Sequence, residues 1–416
     1  MKKILFILGM YHPNYSANGL CCKNVIDKCV DKGWQVACIV NAARGNEKEY
    51  ILDGAEVYTV KPRLFSRISE RCDSHSDSKL YGTIKKAAIA LNKLKLFLMS
   101  PFWPLVSPIY TYRFYKKAKE LHKDKGFDIV VTAYTPIDSL LSGCFLKKKY
   151  PKIKFVPYYL DALAGGWGPS RWSEQKIEKR TRRWETKIDQ RADLVISMES
   201  SREYHKNHPL ESIRPIKRTY LDVPMMLHEI KTERCDNPRK IVLFAGTVAY
   251  PQRNPIPLLE VFSRACKEED IELLFVGQCN NPSIFKPYIR SSNGKISYLG
   301  AKSHEEVLEL EKKADFLINI GNDNPYLIPS KLFEYMRFSK PIISTFAIEN
   351  EPSVTYLKKY GNALFLDERQ PFDESADRLL EFIKNGSLSE LPQGYCQKAF
   401  WANTPEAFAE TLENNF

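Results

Sequence analysis

The chain contains no unbroken apolar run of about 18 residues, so no helix is expected to span a bilayer. It has ten cysteines but no C-x-x-C pair, and the adjacent Cys21 and Cys22 do not form a zinc-binding pattern. Reduced thiols in a cytosolic protein are expected. Asp-x-Asp occurs nowhere, which argues against a phosphate site built on a carboxylate-held metal. Histidine is scarce, with seven in all, so side chains suited to proton abstraction are few. The N-terminal Met1-Lys2-Lys3 and the apolar residues after it lack the length and small-residue cleavage site of a signal peptide. A buried first strand fits them better.

What is present is a globular composition, with 44% hydrophobic and 27% charged residues. A length of 416 residues points to two or three domains. Lys and Arg total 62 against 50 Asp and Glu, a net charge of +12. Such an excess predicts an anionic partner.

Residues 4–10 read as a doubly buried strand, followed by a loop from His12 to Gly19 and a helix from Leu20 to Lys32 that stops at Gly33. Val36 to Val40 is the next strand, completing a βαβ unit and predicting a parallel sheet. Asp128–Thr132, Lys154–Tyr159 and Ala192–Ser197 continue the series. The rhythm fails between 211 and 238, among prolines, which reads as a linker. It restarts at Lys240–Ala245 and runs to 395, with Ser303 and Glu306 forming a capping box before one helix. Residues 396–416 read as a helical tail carrying Phe400, Phe408 and Leu412. The expected class is α/β, with doubly wound domains over 1–210 and 239–395 facing across a cleft. Ligands of such sheets bind at the carboxyl ends of the strands.

Nine basic residues and no acidic ones lie between Ser78 and Lys119, interleaved with Leu94, Phe97, Leu98, Phe102 and Trp103. This pattern suits an acidic headgroup layer. A core helix with a solvated basic face explains it equally well. No nucleic-acid module accompanies the patch, so nucleic acid is not expected as a partner.

The strand ending at Ala245 leads into Gly246-Thr247, and Arg253 stands before the next helix. Glycine permits close approach, and a guanidinium can grip a diphosphate in a bidentate way. An ordinary turn with a surface Arg is the alternative. The stronger pattern is Asn322-Asp323-Asn324-Pro325-Tyr326-Leu327-Ile328-Pro329-Ser330-Lys331-Leu332-Phe333-Glu334-Tyr335, a polar loop entering a helix. A helix start with Lys331 favours an anion. Glu334, one turn in, suits sugar hydroxyls, or simply the helix dipole.

Together with Leu299-Gly300, Ala314-Asp315 and Lys340-Pro341-Ile342, these segments resemble the donor domain of GT-B glycosyltransferases. The similarity is greatest to the large retaining family 4, which makes bacterial surface polysaccharides and glycolipids. It covers essentially the whole chain and implies two Rossmann-like domains with a C-terminal helix. It implies transfer from a nucleotide diphosphate sugar to a glycan acceptor, lipid-linked, on the inner face of the cell membrane, without metal or cofactor. By the same resemblance Glu334 binds the ribose, and Ser330, Lys331 and Arg253 meet the diphosphate. Leu299 lies near the base, and Gly19 lets the N-terminal loop approach the phosphates. Asp161 is an acceptor contact or, alternatively, a helix cap. The chain departs from the family at Tyr326, where the first Glu of Glu-x7-Glu stands, at Thr247 in place of Arg, and at Leu160 in place of His. A nucleotide-sugar epimerase and a non-catalytic membrane-associated partner protein are the competing readings.

Overall fold

The computed structural model describes all residues except 14, 43–47, 74–78, 135, 165–167, 170, 210–214, 231–236, 324–328 and 386–390. Tyr326 and the family Glu position it occupies lie outside the described residues.

The first unit begins with β1 (Lys3–Ile7), α1 (Ala17–Asp31), β2 (Gln35–Asn41), β3 (Glu49–Leu52) and β4 (Ala55–Val60). Helices α2 (Leu64–Asp73), α3 (Lys79–Met99) and α4 (Pro108–Lys125) follow. The unit continues with β5 (Ile129–Tyr134), α5 (Ile137–Lys149), β6 (Lys154–Tyr159), α6 (Glu174–Asp189), β7 (Val195–Met198), α7 (Arg202–Asn207) and β8 (Arg218–Leu221). The strands form one sheet in the order β3-β4-β2-β1-β5-β6-β7-β8. Only the edge strand β3 runs antiparallel, joined to β4 through Asp53 and Gly54, both at positive φ as a tight hairpin requires. Ile4 to Ile7 and all of β5 are buried, because helices cover both faces of a parallel sheet. Gly33 follows α1 at φ +76°, the left-handed stop read from the sequence.

The second unit runs β9 (Lys240–Ala245), α8 (Ile256–Glu268), β10 (Ile271–Val276), α9 (Lys286–Ser291), β11 (Ile296–Tyr298), α10 (His304–Lys313) and β12 (Phe316–Ile320). It continues with α11 (Lys331–Met336), β13 (Ile342–Phe346), α12 (Pro352–Tyr360), β14 (Ala363–Asp367), α13 (Phe372–Asn385) and α14 (Tyr395–Ala399). Its sheet is fully parallel, in the order β11-β10-β9-β12-β13-β14. This is the doubly wound order, reversing direction between β9 and β12. Leu258 and Phe262 of α8 share one core with Leu379 and Phe382 of α13. The capping box of α10 is present, with Ser303 Oγ accepting from Glu306 N and Glu306 Oε2 from Ser303 N.

The boundaries differ from those read in the sequence. The first unit spans Met1–Pro224 and Thr404–Phe416, and the second Met225–Asn403. β8 lies inside the expected linker because buried polar contacts hold it. Arg218 donates to Asp189, to Glu185 Oε1 at 3.2 Å and to Ser197 Oγ at 2.6 Å. Tyr159 Oη donates to Asp189 Oδ1 at 2.8 Å, and His205 Nε2 lies 3.0 Å from Glu185 Oε1. The C-terminal helix α15 (Pro405–Glu413) returns to the first unit. Its buried Phe408 meets Tyr158 at 4.9 Å and Phe6 at 6.4 Å between ring centroids. Lys28 pairs with Glu406 and Lys32 with Glu413.

Two outcomes follow from this packing. Phe408→Ala should lower the stability of the first unit by about 3–5 kcal/mol in urea titrations, through lost burial and the cavity left behind. Burial, opposed by Arg218 and reinforced by Glu185, pushes the Asp189 carboxyl up to about 7. The folded chain then keeps a proton that the unfolded chain has lost, so stability falls as pH rises from about 4 to about 7. Urea midpoints of wild type and Asp189→Asn measured across that window should diverge, with the wild type losing stability and the variant lacking that slope.

Candidate functional site

The strand order of the second sheet reverses between β9 and β12, and their carboxyl ends define the crevice of such a sheet. A glycine follows the end of each of four adjacent strands: Gly300 after β11, Gly277 after β10, Gly246 after β9 and Gly321 after β12. Gly277 has φ +131°, and a Cβ there would stand 2.0 Å from Gly246 O. A Cβ at Gly321 would meet Thr345 O at 2.8 Å. Side chains are therefore kept off the strand ends, and backbone forms the floor. Leu299 lies on this edge, its N–H donating to Phe275 O, with 39% of its surface exposed.

Arg253 spans the reversal point. Its Nη1 donates to Thr247 O at 3.2 Å, in the loop after β9, and its Nη2 to Asn322 Oδ1 at 3.1 Å, in the loop after β12. Its Nε is buried and has no hydrogen-bond partner among the described residues. Burial pulls the guanidinium pKa down, opposed by Tyr335 and Glu351. Glu351, almost wholly buried, accepts from Ser353 Oγ and Val354 N and so fixes the start of α12.

Helix α11 is fastened to the same edge. Tyr335 Oη donates to Ala245 O at 2.9 Å and accepts from Ala245 N at 2.8 Å. Lys331 Nζ lies 2.8 Å from Glu311 Oε1 and 2.7 Å from Glu334 Oε2. Burial alone would lower the Lys331 pKa, but Glu334 and Glu311 outweigh it and hold the ammonium charged. Burial raises the pKa of Glu311 despite Lys331. Lys331 is thus shared by two carboxylates, whereas the sequence suggested a cation open to phosphate. Glu334 receives Lys331 on Oε2, so Oε1 is the oxygen left for another donor. Ser330 precedes α11 and makes no side-chain cap.

Two further residues read from the sequence lie in the first unit. Gly19 is not in the loop but in the first turn of α1, capped by Ser16, where a Cβ would approach Met10 O to 2.4 Å. Its lack of a side chain serves helix–loop packing. Asp161, just past β6, accepts from Asn18 Nδ2 at 2.6 Å and does not cap a helix, since Ser173 caps α6. The structure therefore groups Gly246, Thr247, Arg253, Leu299, Ser330, Lys331 and Glu334 along one sheet edge. It groups Gly19 and Asp161 at another. Sequence reading missed Tyr335, Asn322, Glu351 and Glu311. Asn322 and Tyr335 sit within the singled-out segment, but Glu311, on a separate helix, carries no local signal.

No family model matches the chain, and no curated protein matches it. Solved structures do. Sucrose-phosphate synthase from Thermosynechococcus elongatus is 13% identical with a TM-score of 0.60, covering 100% of this chain and 98% of that one. Anabaena HepE in complex with UDP is 13% identical with a TM-score of 0.59, covering 100% of both chains. An α,α-trehalose-phosphate synthase from Burkholderia xenovorans, in complex with glucose-6-phosphate, is 9% identical with a TM-score of 0.58, covering 99% of both. The chain has the GT-B fold. At such low identity the GT-B likeness fixes architecture and leaves chemistry to the residues themselves.

Lys331→Met strands a buried Glu311, so it should cost about 3–5 kcal/mol of stability in chemical denaturation. The double variant Lys331→Met/Glu311→Leu should recover most of that loss. A single variant as stable as wild type would contradict the pairing.

Proposed function

We propose that the chain is a glycosyltransferase that moves a sugar from a nucleotide diphosphate sugar to a glycan acceptor. The observation that carries this reading is Arg253, half-buried at the strand reversal and bridging the loops after β9 and β12, with its buried Nε–H unpartnered among the described residues. A diphosphate lying on the glycine-lined edge would answer that donor in a charge-assisted hydrogen bond. Arg253 takes precedence over Lys331, because Glu311 and Glu334 already surround the lysine charge. Glu334 Oε1 then accepts from sugar hydroxyls, as a ribose would offer. Leu299 flanks the base, and Ser330 lies beside the diphosphate. The UDP held by HepE supports a nucleotide diphosphate as the ligand class.

In this reaction negative charge grows on the leaving diphosphate as the glycosidic bond breaks. Arg253 and the loop amides near Gly246 and Thr247 stabilise it, with no metal called upon. The configuration at the sugar carbon is retained, and Asp161 contacts the acceptor. The acceptor is lipid-linked and belongs to cell-surface polysaccharide synthesis, with the protein peripheral on the cytoplasmic membrane face. Support for that placement comes from the basic, apolar stretch between 78 and 119, whose Leu94, Phe97, Leu98 and Phe102 are exposed.

Arg253→Ala should weaken binding of the cognate nucleotide diphosphate about tenfold or more, the effect of losing a charged hydrogen bond. Titration calorimetry across a panel of nucleotides checks it, and unchanged affinity and turnover would contradict the assignment. Free nucleotide released only when an acceptor is present marks a transferase. An altered sugar without release marks an epimerase, and no change of either kind marks a non-catalytic protein.

A further inference from the structure

The first unit holds a pocket lined by residues of α4, α5 and α6 and those beside them. Its volume is about 330 Å³, within the ordinary range of small-ligand sites. Leu105, Leu141, Cys144, Trp184 and Ile188 form an apolar wall. Thr111 Oγ1 already donates to Asp138 Oδ1 at 2.6 Å, and Tyr112 and Tyr115 add their rings to the lining. Burial pushes the Cys144 thiol up to about 12, so it lines the pocket as a neutral group. Phe145 meets Tyr115 edge to face at 5.9 Å and remains 48% exposed, an aromatic lip at the surface.

Three cations complete the lining: Lys148, Lys187 and Arg191, all exposed. None of the three has a carboxylate partner among the described residues; Arg191 Nη1 donates to Lys187 O and Lys187 lies over Trp184. A sugar or nucleotide would lose its hydrogen bonds to water inside such a wall. An inorganic anion would leave the wall empty. The chemistry that satisfies both parts is a hydrocarbon chain with an anionic head.

The surroundings point to the same ligand. Arg180 of α6 donates through Nε to Trp103 O at 2.7 Å and through Nη2 to Pro101 O at 2.8 Å. That pins the turn bearing Phe102 to the helix that forms one pocket wall. Leu105 of the pocket lies three residues beyond Phe102. The pocket thus adjoins the basic, apolar segment suited to a headgroup layer.

We propose that this pocket binds the hydrocarbon chain of a phosphate-headed membrane lipid, with Lys148, Lys187 and Arg191 taking the phosphate. The proposal rests on the lipid-linked reading above for its place in the reaction, yet its binding is measured with no sugar nucleotide present. The probe is dodecyl phosphate brominated on its chain, added to the full chain below its micelle-forming concentration. Bromine in contact with Trp184 should quench its fluorescence, and Trp184→Phe should lose that component. Lys148→Glu/Lys187→Glu, altered only at exposed positions, should bind the probe about tenfold or more weakly. A brominated dodecyl maltoside should bind that variant and wild type alike. Phe145→Gln, at the exposed lip, should weaken both probes.

Quenching independent of Trp184 would overturn the proposal. So would equal affinity of the charge-reversed variant for the phosphate probe, or inorganic phosphate bound as tightly as the alkyl phosphate. A chain that binds the probe as expected but releases no nucleotide from any sugar nucleotide keeps the pocket and sinks the transferase. Nucleotide release with no Trp184-dependent quenching sinks the pocket alone.

Discussion

The second unit depends on one half-buried guanidinium. Arg253 holds together the two loops that diverge where the sheet reverses, and it does so through neutral oxygens of Thr247 and Asn322. No carboxylate pairs with it among the described residues. A half-buried charge hydrogen-bonded only to neutral oxygens is poorly compensated, and in the proposed reaction the diphosphate relieves it. The glycines at the strand ends let neighbouring backbone pack closely there, and Tyr335 keeps α11 fixed against Ala245. In the proposed reaction the same charge that binds the diphosphate also stabilises it as a leaving group.

Lys331 behaves differently for a physical reason. It is half-buried between Glu311 and Glu334, so its charge is balanced before any ligand arrives. Its first task is to hold α10 and α11 together and to orient Glu334. A pattern-based reading treats Arg253 and Lys331 as equivalent cations, and the two carboxylates on Lys331 separate their roles.

Much of the fold was legible because parallel strands buried on both faces leave unmistakable apolar runs, as at Ile4–Ile7 and Lys240–Ala245. Local devices were legible too, including the Ser303–Glu306 capping box and the stop at Gly33. What stayed hidden depends on contacts distant in sequence. Short β8 is held by Arg218 to residues about 30 positions earlier. The return of α15 rests on Phe408 packing against Phe6 and Tyr158. Gly19 was visible as a glycine, but its neighbour, the Met10 carbonyl, was not. The site showed the same limit: Gly246, Arg253 and Glu334 were found in local segments, whereas Glu311 needed the fold to bring it to Lys331.

The excess of positive charge, +12 over the chain, also divides by location. Arg253 is half-buried at the sheet reversal, whereas Lys86 and Lys93 of α3 and the three cations of the α4–α6 pocket are exposed, as are Leu94, Phe97 and Phe145. The most direct test of the central claim is a crystal structure of the protein with its cognate nucleotide diphosphate. The account predicts the diphosphate on the glycine-lined edge, within hydrogen-bond distance of Arg253 Nε, and a ribose hydroxyl on Glu334. A nucleotide bound elsewhere, or one at this edge with Arg253 turned away from its phosphates, would contradict it.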